Sequence, residues 1–343
     1  VYKIQIEHQL QVGIMFDAKD MVAVSQSHMM ADPESLGEAG VAFTEKLAET
    51  DTRVRIPMIT DPRGVDLNYY EPLGQSENMA DLERRFIFAC TAMGITMTNT
   101  CINYQTIMPP VIGEHVAFGD TGVVIYSNSV CGARSNFEGG PSALAAGLTG
   151  ITPRYGLHLN NNRRPTKRFR IMDQPKDLTD WGVLGATIGR MAGSYWEVPL
   201  IEGVEKTPSS DQLKHFGAAM ASYGSVPLFH IVGVTPECQK LEDMDFIDLE
   251  ITSVDVEATS DLKKPFTAAG EIVDVVVFAA PQLSIVEMAE LAALCSGRHR
   301  SDATDVIVCT SGQVYGDAVS MGYVDKIAVS YTHLRAHETP EHR

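Results

Sequence analysis

The chain reads as an α/β protein of stacked layers with mainly parallel sheets, and three observations carry that reading. Strand-like and helix-like stretches alternate along its whole length instead of segregating. The clearest strand-like run, residues 271–278, is Val-rich and suited to burial in a sheet. It leads into a helical pattern, and a second such unit follows from residue 305, so consecutive βα units are expected.

The totals agree. At 343 residues the chain can bury a large core as one large domain or as two to three small ones. Charged residues are 21% and branched apolar residues are plentiful, which excludes a disordered chain. A net charge of −17 argues against nucleic acid as a partner. Apolar runs are short and broken by Gly, Pro or charge, so no membrane span and no membrane partner is expected. No leader peptide is visible and a cytoplasmic location is expected, although the chain starts at Val1 and a missing N-terminus stays open. Six cysteines (90, 101, 131, 238, 295 and 309) contain no C-x-x-C pair, which rejects a zinc ribbon or a small disulfide scaffold. They are free thiols or a set converging in space on a cluster; spacing does not choose.

Residues 1–50 open amphipathically, and 21–28 form a strand with His28 at its carboxyl end, where ligands of open α/β sheets collect. A lone histidine there is more often structural than functional. Ser35 to Glu38 start a helix with a capping-box-like signal. Residues 53–57 form another strand, and Thr60-Asp61-Pro62 with Asp66 make a loop that an Asp-Pro turn explains. Residues 77–94 are an amphipathic helix stopped by Gly94, with Cys90 in its core face. Cys101 follows a β-like run, at a loop mouth; its plain alternative is a small buried hydrophobe. Residues 163–170 hold five basic residues in eight, read as a strand face or subunit contact, or as Arg163 or Arg164 gripping an acidic substrate. Residues 178–203 are a helix rich in small residues and then a strand; 210–224 are a helix, and 227–237 are strand-like before a Thr-Pro turn.

Chemistry concentrates in residues 113–150. A charged turn with His115 passes into Val123-Val124-Ile125-Tyr126, which has the size of a buried strand. A polar loop with Asn128, Ser129, Arg134 and Glu138 follows, and Gly139-Gly140 leads into a helix opening Pro141-Ser142. Helix-start N–H groups are unpaired and favour anions, and Arg134, if it faces this loop, adds a two-pronged grip. An ordinary strand-to-helix turn is the plain alternative. Neither a Walker motif nor a dinucleotide fingerprint is present.

The run from Gly113 through Asn128-Ser129, Gly132-Ala133-Arg134 and Glu138-Gly139-Gly140-Pro141-Ser142-Ala143 resembles the central signature of the aconitase X family, iron–sulfur hydro-lyases related to aconitase. The likeness extends from about residue 20 to about 327. It implies an aconitase-like arrangement of α/β subdomains around a central cleft. It also implies dehydration of a small hydroxy acid, with an iron of a 4Fe-4S or 2Fe-2S cluster taking the leaving hydroxyl. The signature's polar residues (His115, Asn128, Ser129, Arg134, Glu138, Gly139, Gly140, Ser142) and Arg163 are then expected to hold the small acidic substrate. Thr60 and Asp66 take a substrate-facing role only by this likeness. Cys101 matches the family's T-C-T-P-Y segment and is the best single cluster ligand. The family's second cysteine, in G-C-P-H-L-S, falls on Ala280, and Cys309 is the conjectured substitute; a third is expected beyond residue 330. The signature favours a phosphomevalonate-like substrate, with a hydroxyproline-type dehydratase or a non-catalytic anion-binding scaffold without a cluster as alternatives. A swivel domain, separate as a small subunit or fused, is the implied partner and the implied source of the base. On this reading residues 1–329 are a catalytic domain incomplete at both ends, and 330–343, with His333 and His337, are a foreign adapter-derived tail.

Overall fold

A computed structural model describes residues 2–30, 32–244, 249–263, 273–299, 301, 304–329 and 333–337. Residues 271–272, the start of the expected strand 271–278, lie outside the described residues, as do most of 330–343.

The first unit comprises α1 (Tyr2–Met15), β1 (Met21–Ala23), β2 (Ser27–Met29), α2 (Pro33–Ala48), β3 (Met58–Thr60), α3 (Glu77–Ala92), β4 (Ala117–Phe118), α4 (Thr121–Ser129), α5 (Pro141–Thr149) and β5 (Ile151–Pro153). Its sheet has the order β3-β2-β4, all parallel, while β1 pairs antiparallel with β5. The strand expected over 21–28 is therefore two, because Val24 to Gln26 leave one sheet for the other and put His28 inside β2. The strand expected over 53–57 starts instead at Met58. The largest correction is Val123-Val124-Ile125-Tyr126, which is helix. Asp120 accepts the Val123 N–H at 3.0 Å as N-cap, and every residue from Gly122 to Ser129 is buried. α2 likewise starts at the N-cap Asp32 and kinks at Gly37.

The second unit comprises β6 (Lys167–Ile171), α6 (Leu178–Ala192), β7 (Pro199–Glu202), α7 (Ser210–Gly224), β8 (His230–Ile231), β9 (Ile251–Val254) and α8 (Val256–Lys263), with the parallel order β8-β7-β6-β9. Glycines let α6 and α7 touch backbone to backbone: a Cβ at Gly185 would lie 2.1 Å from Phe216 O. The third unit comprises β10 (Val275–Leu283), α9 (Ile285–Cys295), β11 (Asp305–Ser311), α10 (Gly312–Ser320), α11 (Tyr323–Val329) and β12 (His333–His337), again parallel in the order β10-β11-β12. β10 runs on through Ala280-Pro281-Gln282. β12 falls inside the segment read as foreign.

One apolar core joins Val123, Val124 and Ile125 of α4 to Phe216, Phe229, Leu283 and Val308, so the three units share an interior. A second core under α2, α3 and α5 includes Cys90. Glu83 is an exception on the buried face of α3: it is 0% exposed, and among the described residues neither carboxylate oxygen has a close hydrogen-bond partner. Burial pushes its carboxyl up to about 8; Arg63 and the backbone N–H of Gly64 oppose the rise, and Asp32 and Glu34 add to it. A folded value above the unfolded one favours the protonated form, so stability falls as pH rises from about 4.5 to about 8. Glu83→Gln is expected to raise the melting temperature at pH 9 and leave it nearly unchanged at pH 4. Thermal melts at both pH values check this; equal gains at both would refute it.

Candidate functional site at the carboxyl edge of the first sheet

The parallel strands β2, β3 and β4 end together, and three carboxyl groups follow them: Asp32, Asp61 and Asp120. Two of these are consumed as helix caps, Asp32 by Ser35 N–H and Asp120 by Val123 N–H. Asp61 is different. It is 9% exposed, and its Oδ1 meets no donor among the described residues. Burial, and then the charges of Asp120 and Asp32, push its carboxyl well above the ordinary aspartate range. Its backbone N–H is fixed to Met29 O at 3.0 Å.

Beside it, His28 is 0% exposed and its Nε2 donates to Thr100 O at 2.8 Å, which places the proton on Nε2. Burial lowers its pKa, so the ring is neutral. The same Nε2 lies 3.7 Å from Asp61 Oδ1. That separation is too long for a hydrogen bond, and His28 is too deeply buried to touch a substrate. Thr100 N–H in turn holds Thr60 O at 3.1 Å, which delivers Cys101 to the same edge. Thr60 is buried against Asn99, and Asp66 accepts the N–H groups of Asn68 and Tyr69 in its own turn.

Cys101 sits where the three units meet. Its Sγ, half-buried, accepts the Gln282 N–H at 3.4 Å. Burial raises the thiol pKa, Asp61 and Asp120 add to it, and the Gln282 N–H and Lys214 oppose them. Gln282 also donates through Nε2 to Asn99 O (3.1 Å) and Thr310 O (3.4 Å). Beneath it Lys214, 1% exposed, donates to Gln282 O at 3.1 Å and pairs with Glu287 and with Asp211 (3.2 Å). His215 binds the other oxygen of Glu287 at 2.6 Å, and Ser284 Oγ donates to Asp211 at 2.8 Å. A cleft of about 360 Å³, lined by Tyr104, Gln105, Ser210, Asp211, Ser284 and Gln313, opens at this junction. None of Asp61, Lys214, Gln282 or Glu287 was singled out for chemistry from the sequence. The only available signal was the Ser284-x-x-Glu287 capping box, which the structure contains.

The residues of the 113–150 signature do not form one site. From Arg134 the chain runs alongside β4 in parallel: Arg134 N–H to Glu114 O, Val116 N–H to Arg134 O, and Glu138 N–H to Phe118 O. Arg134 therefore starts at the amino edge of the sheet with His115, while Gly139-Gly140 finish at the carboxyl edge with Asp61. There Gly119 and Gly140 press on the main chain at residues 28–30, closely enough that an added Cβ would sit 2.9 Å from Met30 N or 3.0 Å from Met30 O. Gly139 has φ +62° and open space above it. Ser142 Oγ lies 3.3 Å from His8 Nε2. Glu138 is buried, accepts from Thr152 Oγ at 2.9 Å, and is pushed up by burial to about 7.

At the far end of α4, Asn128 bonds Ser135 N–H, Ser135 O and Pro227 O, and Ser129 Oγ accepts Phe229 N–H. Arg163 is buried, with three contacts to Glu237 and one to Asn128 O. These three residues hold the fold together from within. Cys309 lies on β11, where strand alternation turns it away from the face of Val308 and Thr310. Among the described residues no three His, Cys, Asp or Glu side chains come together to hold a metal ion. No helix is long and apolar enough to cross a membrane among them either.

Comparisons with known proteins follow the three units. Models of the aconitase X first, second and third domains match residues 2–161, 165–263 and 273–334. The phosphomevalonate dehydratase large subunit of Methanothermobacter thermautotrophicus is 35% identical over 323 residues, 94% of this chain and 79% of that protein. The cis-3-hydroxy-L-proline dehydratase of Hypocrea jecorina is 32% identical over 326 residues, 93% of this chain and 54% of that protein. The crystal structure of the holo-form of Thermococcus kodakaraensis aconitase X superposes with a TM-score of 0.89 at 26% identity, covering 98% of this chain and 84% of that one.

Proposed function

Since the chain belongs to the aconitase X family, we propose that it is a hydro-lyase that removes water from a small hydroxy acid, with Asp61 as the proton donor to the departing hydroxyl. The observation that carries this reading is Asp61 itself: a carboxyl at the end of a parallel strand whose pKa is raised by burial and by Asp120 and Asp32, with an oxygen that has no partner among the described residues. Dehydration breaks a C–O and a C–H bond and forms C=C. The hydroxyl needs a proton to leave as water, and a carboxyl with a raised pKa keeps such a proton further up the pH range than an ordinary aspartate does. The open main chain at Gly139 and the start of α5 support binding of the acidic group of the substrate. The base that takes the carbon-bound proton is assigned to a swivel-domain partner, in line with the large-subunit name of the 35% identical relative. That relative also makes a phosphomevalonate-like substrate the first choice. A cytoplasmic location belongs to the same reading, and six free thiols support it.

An iron–sulfur cluster is the cofactor that family membership implies. Cys101 suits one ligand position. Ala280 offers a methyl where the likeness implies a thiolate, and the described residues do not complete a ligand set. They do not fit such a cluster, and no step above runs through one.

The test is a dehydration assay of the chain co-expressed anaerobically with a swivel subunit, offering mevalonate 5-phosphate and the hydroxyprolines. Mass loss of one water from one of them, with Asp61-dependent turnover, supports the reading. No turnover from a folded complex would leave an anion-binding scaffold as the better account.

A further inference from the structure

We infer that the amino edge of the first sheet carries a second binding site, for a phosphate group, centred on Arg134 and separate from Asp61 at the carboxyl edge. The main chain of Arg134 is clamped on both sides, to Glu114 O at 2.8 Å and by Val116 N–H at 3.0 Å. Its guanidinium is therefore placed by the sheet, not by a loose loop. Nη1 donates to His158 O at 3.2 Å, and Nε and Nη2 have no acceptor among the described residues. That leaves vacant the edge of the fork that grips a tetrahedral oxyanion by two parallel hydrogen bonds.

Among the described residues no carboxylate pairs with this guanidinium. Arg134 lines a cleft of about 260 Å³ with Arg163, Arg164, His230 and two carboxylates, Glu237 and Asp243. Arg163 already occupies both oxygens of Glu237, and Asp243 accepts the Lys240 N–H. Burial lowers the Arg134 pKa and the Arg163 charge lowers it further, as expected of two like charges sharing one acid. On the other side, the rings of His115 and His158 stack 5.1 Å apart with their Nδ1 atoms 2.9 Å apart. Burial, then the neighbouring imidazole and the two arginines, hold His158 down at about 3. A second polar atom lines the same cleft: His230 is 1% exposed, its Nε2 donates to Arg163 O, and its Nδ1 has no partner among the described residues. A phosphate monoanion or dianion supplies both missing complements, oxygens for the Arg134 fork and a P–O–H for a bare imidazole nitrogen.

This site cannot be the far end of the catalytic cleft. Asp120, beside Asp61, caps the start of α4, whereas Arg163 bonds Asn128 at its finish. The nine residues of α4 separate them by about 13 Å at 1.5 Å per residue, beyond the span of a small hydroxy acid.

Phosphate at fixed ionic strength is the probe, read by thermal shift and by broadening of its ³¹P resonance. Wild-type protein is expected to gain melting temperature saturably with inorganic phosphate, as for any ligand of the folded state. Arg134→Gln should abolish the effect, and Arg134→Lys, which keeps the charge and loses the fork, should weaken binding at least tenfold. Asp61→Asn should bind phosphate like the wild type. Displacement of phosphate by glycerol 3-phosphate would identify an organic phosphate as the source, and failure to displace it would identify the free ion. Shifts that are the same in all variants, or binding lost in Asp61→Asn but kept in both Arg134 variants, would overturn the proposal. If Arg134→Gln does not fold, the Arg134→Lys comparison alone decides.

Discussion

Asp61→Asn is expected to cut turnover by about 10²–10⁴-fold, the usual contribution of a positioned general acid. The amide keeps the shape and the packing and removes the proton. Substrate affinity should change little, because the loss falls on the step in which the hydroxyl leaves. The pH profile supplies an independent readout. With its carboxyl held above the usual range by burial and by Asp120 and Asp32, wild-type turnover should fall on the alkaline side as Asp61 ionises. The same limb should be missing from the residual activity of the variant. Stability moves the other way. A folded pKa above the unfolded one destabilises the protein progressively as pH rises through that window, so the variant should melt no lower than wild type at pH 8. Inactivity with an unchanged or higher melting temperature is the predicted combination. Full activity in Asp61→Asn would remove Asp61 from the mechanism and with it the central support for the proposed reaction.

Elements with two distinct faces were legible in the sequence. α3, α6 and α7 alternate buried and exposed residues at helical spacing, and β11 carries a plain β-branched run. α4 was not legible, because a helix buried all round has no polar face and looks locally like a buried strand. Its one available mark was Asp120 ahead of Thr121-Gly122, a helix cap. The site was harder for a related reason. Arg134 and Gly139 are five residues apart and were read as one anion-binding loop, but extended backbone sends them to opposite edges of a sheet. Asp61 looked like the opening of a turn, since nothing in an Asp-Pro pair reports two other carboxylates arriving from distant strands. At position 280 the alanine was visible as a departure from the likeness. What Gln282 does instead, tying Cys101, Asn99 and Thr310 into one junction, depends on partners more than 180 residues and nearly 30 residues away in the chain.

That junction sets the largest expected stability effect. Lys214→Ala should destabilise the protein by about 3–5 kcal/mol, because it leaves buried carboxylates without their cation. Burial alone would push Glu287 up, yet His215, Lys214 and the Ser284 N–H outweigh it and hold the group at about 2. Removing the ammonium returns part of that shift and so changes the acid side of the stability curve. In the wild type, a folded value below the unfolded one gives stability that is present above about pH 4.5 and lost as pH falls towards 2. Lys214→Ala should flatten that acid limb as well as lower the whole curve. Adding Glu287→Gln to Lys214→Ala should recover part of the loss, since the stranded charge is then gone, whereas two independent packing defects would add. Urea titrations of the two single variants and the double variant, at pH 4 and pH 7, measure this coupling. The loss should extend to the site. Lys214 Nζ fixes the Gln282 carbonyl, and the Gln282 N–H fixes Cys101, so slack at Lys214 reaches the thiol through a single residue. Strict additivity, with Cys101 reacting with a thiol reagent no faster than in the wild type, would mean that the buried ions fill space and position nothing.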